Sequence, residues 1–224
     1  MTASSHKVDL TEAQLAAAGT LHAMLAQWRL TDEALRRLQD ALPAFGPEES
    51  LLKVVAINGL YGTNVFALVR AATHVEKVLA AANLTPAGPE LVESLADIPT
   101  TSSGRLRRHV SFASKFAHFF ISADRFPIFD AYAERMMLLH IGPSALRNPQ
   151  RPYEAFVANL ERLTREYGLR STYRELDRYL WLAGLYRAYV DGKRTLNAEA
   201  LRMFEKPSPE QRRLLQALYP NQVL

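Results

Sequence analysis

The residues with chemistry to offer gather in one stretch, SFASKFAHFFISADRFPIFD, residues 111 to 130. Lys115 is its single lysine, set among Phe112, Phe116, Phe119 and Phe120, and the stretch closes on Pro127 and Asp130. Desolvation among aromatics and nearby arginines both disfavour a charged lysine, and the neutral amine is the form that attacks an electrophile. On a helix, Arg108, Ser111, Lys115 and His118 fall at i, i+3, i+7 and i+10 and share one stripe, while the phenylalanines turn toward a core. A plainer job fits the same spacing: a stem packed on apolar surface with its ammonium in water. Ser111 and Lys115 also have the spacing of a Ser-Lys acyl-transfer pair, but no nucleophile elbow or oxyanion-donating glycine loop accompanies them. Asp130 follows Lys115 by 15 residues, room for a helix, a turn and a return. Its commonest use at a helix start is as N-cap. Pro127 holds Phe126 extended, so the carboxylate is placed reproducibly, and capping does not preclude catalysis.

A second polar group, INGLYGT at residues 57 to 63, offers an amide, a phenol and a hydroxyl in Asn58, Tyr61 and Thr63. Gly59 and Gly62 between them permit a close crossing or a break. The element is either a glycine-permitted helix crossing with satisfied side chains or a kinked one presenting polar groups to a pocket. Upstream of Lys115 stand Arg105, Arg107, Arg108 and His109, which read equally as a solvated helix start or a phosphate-facing patch.

Positioning these groups falls to helices. TEAQ from Thr11, TYRE from Thr172 and SPEQ from Ser208 are capping boxes, the last with Pro209 at the first helical position. LHIGP stops a helix at Gly142, and REYGL stops another near Gly168. Roughly ten helices result, joined by short loops. No run alternates cleanly enough for a strand; LLKVVAING, the nearest, belongs to a helix by its position. The fold class is therefore all-α: a single helical domain over residues 1–224, in one or two lobes. Residues of about 50 to 140 carry the candidate site, and N- and C-terminal helices form the rest. Asp177 and Trp181, four apart, brace a C-terminal helix against the core.

Composition removes several classes. Hydrophobic residues are 48% and charged residues 22% of the chain, as in an ordinary globular protein. With no cysteine there is neither a disulfide framework nor a thiolate metal site. The six histidines show no HxH or HxxxH spacing, so no metal and no cofactor is expected. No window reaches the roughly 20 apolar residues of a membrane span, and MTASSHKVDL lacks the apolar core of a signal peptide. A cytoplasmic protein without a membrane partner is the expectation. The net charge of +4 is compatible with nucleic acid.

A lysine on one helix and P-I-x-D opening the next, in a basic all-helical chain, resembles the helix-hairpin-helix DNA glycosylase superfamily, in particular its archaeal-type 8-oxoguanine glycosylase branch. The resemblance covers about residues 50 to 140. It implies that Lys115 is a Schiff-base nucleophile and Asp130 the carboxylate assisting it. Asn58, Tyr61, Thr63, Ser111 and His118 would then face the extruded nucleotide, and Arg105, Arg107 and Arg108 the phosphates of double-stranded DNA. Phe112, Phe116, Phe129 and Tyr132 are available to line a base pocket, although each also suits a core. The implied activity is excision of a damaged or modified base by N-glycosidic cleavage, with strand nicking if an imine forms. The rival class is a non-catalytic helical module binding nucleic acid or protein, with Lys115 a surface residue.

Overall fold

The computed structural model describes residues 8–99 and 106–219. Among these, eleven α-helices and one pair of three-residue strands form an all-α fold. The chain divides into two compact units. One unit, inner in sequence, comprises Leu30–Phe129 and Arg147–Val157; the other, outer in sequence, comprises the described part of Met1–Arg29 with Asp130–Leu146 and the described part of Ala158–Leu224. The stretch expected to carry the site crosses the boundary at Phe129/Asp130, so Lys115 belongs to the inner unit and Asp130 to the outer.

In chain order the elements are α1 (Glu12–Ala23), α2 (Ala26–Ala41), α3 (Pro47–Tyr61), α4 (Leu68–Ala81), α5 (Pro89–Ala96), β1 (Asp97–Pro99), β2 (Leu106–Arg108) and α6 (Val110–Phe120). Then come α7 (Ala131–Ile141), α8 (Pro152–Glu166), α9 (Tyr173–Val190), α10 (Ala198–Glu205) and α11 (Pro209–Leu218). Local chemistry sets most ends. The capping boxes at Thr11, Thr172 and Ser208 form as expected. Helix α7 stops at Gly142 with φ 78°, and Gly168 after α8 has φ 61°, left-handed conformations that glycine adopts without a Cβ penalty. LLKVVAING lies within α3.

Within this all-α fold the two short strands form one antiparallel pair. Asp97 pairs with Arg108, Ile98 with Arg107 and Pro99 with Leu106, antiparallel. Helix α6 therefore starts at Val110, and Arg108 is a strand residue rather than the first member of the helical stripe. Across the two strands Arg108 grips the Asp97 carboxylate with Nε at 2.8 Å and Nη2 at 3.0 Å, and it also donates to the Gln150 carbonyl.

In the inner unit α3 packs on α4 and α6, and α5 packs on α6. Val54, Ile57, Val75, Leu95, Phe112 and Phe116 are fully buried there. In the outer unit α9 is central, packing on α1, α7 and α10, while α11 packs on α1. The side chains of Trp28 and Trp181 meet edge to face at 4.6 Å, and His22 meets Trp181 at 6.4 Å, so Trp181 braces α9 as expected. A Cβ at Gly184 would lie 2.4 Å from the Tyr132 carbonyl oxygen, so α7 and α9 approach this closely only because that position is glycine.

Candidate functional site

Helix α6 has 11 residues, and Phe112, Ala113, Ser114, Lys115, Phe116, Ala117, His118 and Phe120 are all buried. A helix buried on nearly every side is a core element, so its polar residues must find partners inside the protein. Lys115 is 5% exposed, which excludes the surface snorkel. Its Nζ donates to Ser111 Oγ at 2.7 Å, lies 3.4 Å from the Ser111 carbonyl and stands 5.7 Å from the Tyr61 ring centroid. An ammonium at this range gains from the electron-rich ring face. The Tyr61 ring lies 5.5 Å from Phe119, and its hydroxyl donates to Asp32 Oδ1 at 3.3 Å. Three expected site residues, Ser111, Lys115 and Tyr61, thus come together within the inner unit.

Asn58 and Thr63 take a different part. Thr63 Oγ1 and the Val65 amide both donate to Asn58 Oδ1 at 2.9 Å. Their bonds shape the turn after α3, where Gly62 has φ 56° and Asn64 has φ 58°. Asparagine tolerates that left-handed conformation better than most residues. His118, 5% exposed, donates from Nδ1 to the Phe126 carbonyl at 2.9 Å; a carbonyl only accepts, which fixes the tautomer. Phe112 and Phe116 are fully buried core residues, and Phe129 meets Phe156 edge to face at 5.2 Å.

The return segment 126–129 is held by residues the sequence reading passed over. The Phe129 amide donates to Ser114 Oγ at 3.0 Å, and the Tyr153 hydroxyl donates to the Pro127 carbonyl at 2.8 Å. Tyr153 is placed in turn by Glu93. This carboxylate, 6% exposed, accepts from the Tyr153 and Glu154 amides at 2.7 and 3.2 Å and caps α8. Ser114 and His118, four apart on α6, therefore hold the segment from one side and Tyr153 holds it from α8. Ser114 and His118 meet their partners, 15 and 8 residues on, only when the segment folds back, which their spacing on α6 does not reveal.

Asp130 follows Phe129 along the chain and caps α7 in the outer unit, its Oδ1 accepting from the Tyr132 amide at 2.8 Å. Of the expected phosphate cluster, Arg107 is exposed on β2, Arg108 is bound to Asp97 and Arg105 lies outside the described residues. The His109 amide donates to the Ala96 carbonyl at 2.8 Å. Burial, then the charge of Arg107, lowers the affinity of its imidazole for a proton.

A second buried lysine was not expected. Lys53 on α3 is fully buried, donates to the Ala44 carbonyl at 2.7 Å and stands 4.0 Å from the Phe45 ring centroid. Burial pulls its pKa down to about 8, with Glu49 acting in the opposite direction. Among the described residues no three His, Cys, Asp or Glu side chains form a group able to hold a metal, and no helix is long and apolar enough to cross a membrane.

The fold and its buried lysine define an all-α protein with a polar centre inside its inner unit. The chain belongs to the family HI_0787_N, an N-terminal domain, whose model matches residues 13–125, just over half of the chain. The matched stretch contains Asn58, Tyr61, Thr63, Ser111, Lys115 and His118 and ends before Asp130. No curated protein and no solved structure matches the chain.

Proposed function

We propose that this chain is a cytoplasmic DNA glycosylase-like enzyme that releases a damaged or modified base from double-stranded DNA, with Lys115 as the amine and Asp130 as the carboxylate. The observation that carries the reading is the setting of Lys115. An amine 5% exposed, held 2.7 Å from a neighbouring hydroxyl and facing a tyrosine ring, is oriented within a dry wall. Orientation and water exclusion are what amine attack on a sugar carbon requires. The reading draws further support from the segment before Asp130, which three side chains hold in one conformation.

In this chemistry the neutral Lys115 amine attacks C1′, the glycosidic bond breaks and the base departs with the bonding pair and a proton. The attached sugar opens to an imine, from which elimination nicks the strand. Asp130 supports the positive charge that develops on the sugar ring. Arg107, exposed on β2, is assigned to a phosphate.

The test is borohydride trapping on duplex DNA bearing an abasic site, the product common to all base excision. Lys115 condenses with the C1′ aldehyde, losing water, and hydride reduces the imine to a stable secondary amine. A covalent adduct formed by the wild type and lost in Lys115→Ala supports the reading. No adduct from the wild type removes imine chemistry. Salt-sensitive DNA binding that ignores Lys115 then identifies a binding module.

A further inference from the structure

Within the outer unit a cavity of about 250 Å³ lies between α7 and α9. Its walls repeat at i, i+3, i+4 and i+7 on both helices, with Met136, Leu139 and Ala188 forming apolar surface. Gly184 sets its narrow part, where the α9 backbone meets the Tyr132 carbonyl. Charge around the opening is unbalanced. The Arg135 guanidinium and the Lys193 ammonium each lie 5.0 Å from the Tyr132 ring centroid. Arg187 lines the same cavity and pairs loosely, at 3.6 Å, with Asp191, the single carboxylate of the lining. Two cations and one carboxylate thus line the cavity, Lys193 adds a third cation beside the Tyr132 ring, and the Asp130 carboxylate is engaged by the Tyr132 amide. Arg135 is kept in place by its Nε donating to the Ala131 carbonyl at 2.8 Å.

From this we infer that the α7–α9 groove is a phosphate-binding subsite for the DNA backbone, built on Arg135, Arg187 and Lys193 around Tyr132. The inference rests on the proposed glycosylase reading for its ligand, but its three cations are not among the residues assigned to that chemistry. The groove begins at the α7 terminus that Asp130 caps, because Tyr132 supplies both the capped amide and the ring that the two cations approach. Guanidinium and ammonium groups on a partly apolar concave wall bind phosphate more strongly than on an open surface.

The experiment is fluorescence anisotropy of a short labelled duplex carrying a tetrahydrofuran abasic analogue, which binds without forming an imine, titrated over a range of salt. The Arg135→Gln/Lys193→Gln double variant is expected to weaken binding about tenfold and to flatten the slope of log Kd against log salt by about 1–2, close to one unit per lost phosphate contact. Both residues are exposed, and a Tm equal to that of the wild type confirms folding. Arg212→Gln/Arg213→Gln on α11 removes the same charge elsewhere and should leave the slope near that of the wild type. Restoration of the slope by Arg135→Lys/Lys193→Arg would support charge at the groove as the cause. A groove variant that binds as the wild type, or a wild type that binds no duplex at low salt, overturns the inference. The trapping result stands apart from both outcomes. Adduct formation with unchanged groove variants removes the groove alone, while lost binding without any adduct keeps the groove and removes the glycosylase reading.

Discussion

Two lysines are buried in the inner unit, and their surroundings differ in kind. Lys53 gives its ammonium to a backbone carbonyl, Ala44, and to the rings of Phe45 at 4.0 Å and Phe120 at 5.4 Å. Ser50 adds a bond to the Phe45 carbonyl at 3.1 Å, so α3 holds the chain that enters it at two successive residues. Lys115 instead meets the Ser111 hydroxyl at 2.7 Å, with the carbonyl of the same residue farther off at 3.4 Å, and a phenol ring. The residue before it anchors the segment that leads to Asp130. Both amines lie near aromatic faces, so neither burial nor aromatic company by itself separates a clamp from the reactive amine proposed at Lys115. On the proposed reading the difference lies in the nearest partner: the Ala44 carbonyl ties Lys53 to the chain entering α3, whereas the Ser111 hydroxyl beside Lys115 can donate, accept or turn aside when substrate arrives.

The sharpest way to break this comparison is the trapping assay run on both lysines. Lys115→Ala should abolish the borohydride adduct, while Lys53→Met should retain it within about twofold, since a buried charge replaced by an apolar side chain of similar volume is usually tolerated. Equal loss in both variants would mean that the adduct depends on the fold and not on the position of the amine. Next in size is Phe116→Ala. This fully buried ring lies 6.2 Å from Phe45, 6.0 Å from Phe112 and 5.1 Å from Phe120, joining the surroundings of Lys53 to α6. Its loss should cost about 3–5 kcal/mol in chemical denaturation. A cost under about 1 kcal/mol would show the aromatic wall to be loosely packed.

What was legible in the sequence was local. Capping boxes at Thr11, Thr172 and Ser208, the Asp130 cap and the glycine stops all act between residues two to five apart, and each formed. The β1–β2 pair was not legible, because three residues show no period and the pairing energy comes from across the ladder. That pair removes Arg108 from the helical stripe and binds it to Asp97. The burial of Ser114 and His118 was hidden for the same reason: their partners arise only when 126–129 folds back. Glu93 reaches an amide 60 residues on, and no window on the sequence connects the two. Lys53 was missed although its setting, a lone cation in LLKVVAING, resembles that of Lys115 in SFASKFAHFF.

The clasp on the return segment gives a third test, smaller in stability but specific to the Lys115 side. Tyr153→Phe leaves the Pro127 carbonyl without the donor it has from Tyr153, and Ser114→Ala leaves the Phe129 amide without the acceptor it has in Ser114. Each should cost about 1–3 kcal/mol. If the segment positions Asp130, each should also slow single-turnover adduct formation without weakening DNA binding. Stability loss with an unchanged trapping rate would make the clasp a matter of packing alone.

The smallest effect belongs to Lys53 and is read through pH. Its folded pKa of about 8 lies below the unfolded value of 10.5, so between these limits the unfolded chain binds more protons than the folded one. Stability on unfolding must then rise with pH through that window, because the desolvation penalty of the ammonium acts fully below the folded pKa and is relieved as the amine loses its proton. The rise should be about 1–2 kcal/mol after allowance for screening at the ammonium end. Denaturant midpoints followed from pH 7 to pH 10 should show it in the wild type and not in Lys53→Met, whose profile lacks that titration. A wild-type profile parallel to the variant's would mean that the bond to Ala44 and the Phe45 ring together compensate the ammonium for its lost water. Lys53 would then be a buried ion pair in all but name, with a backbone dipole and a ring quadrupole in place of a carboxylate.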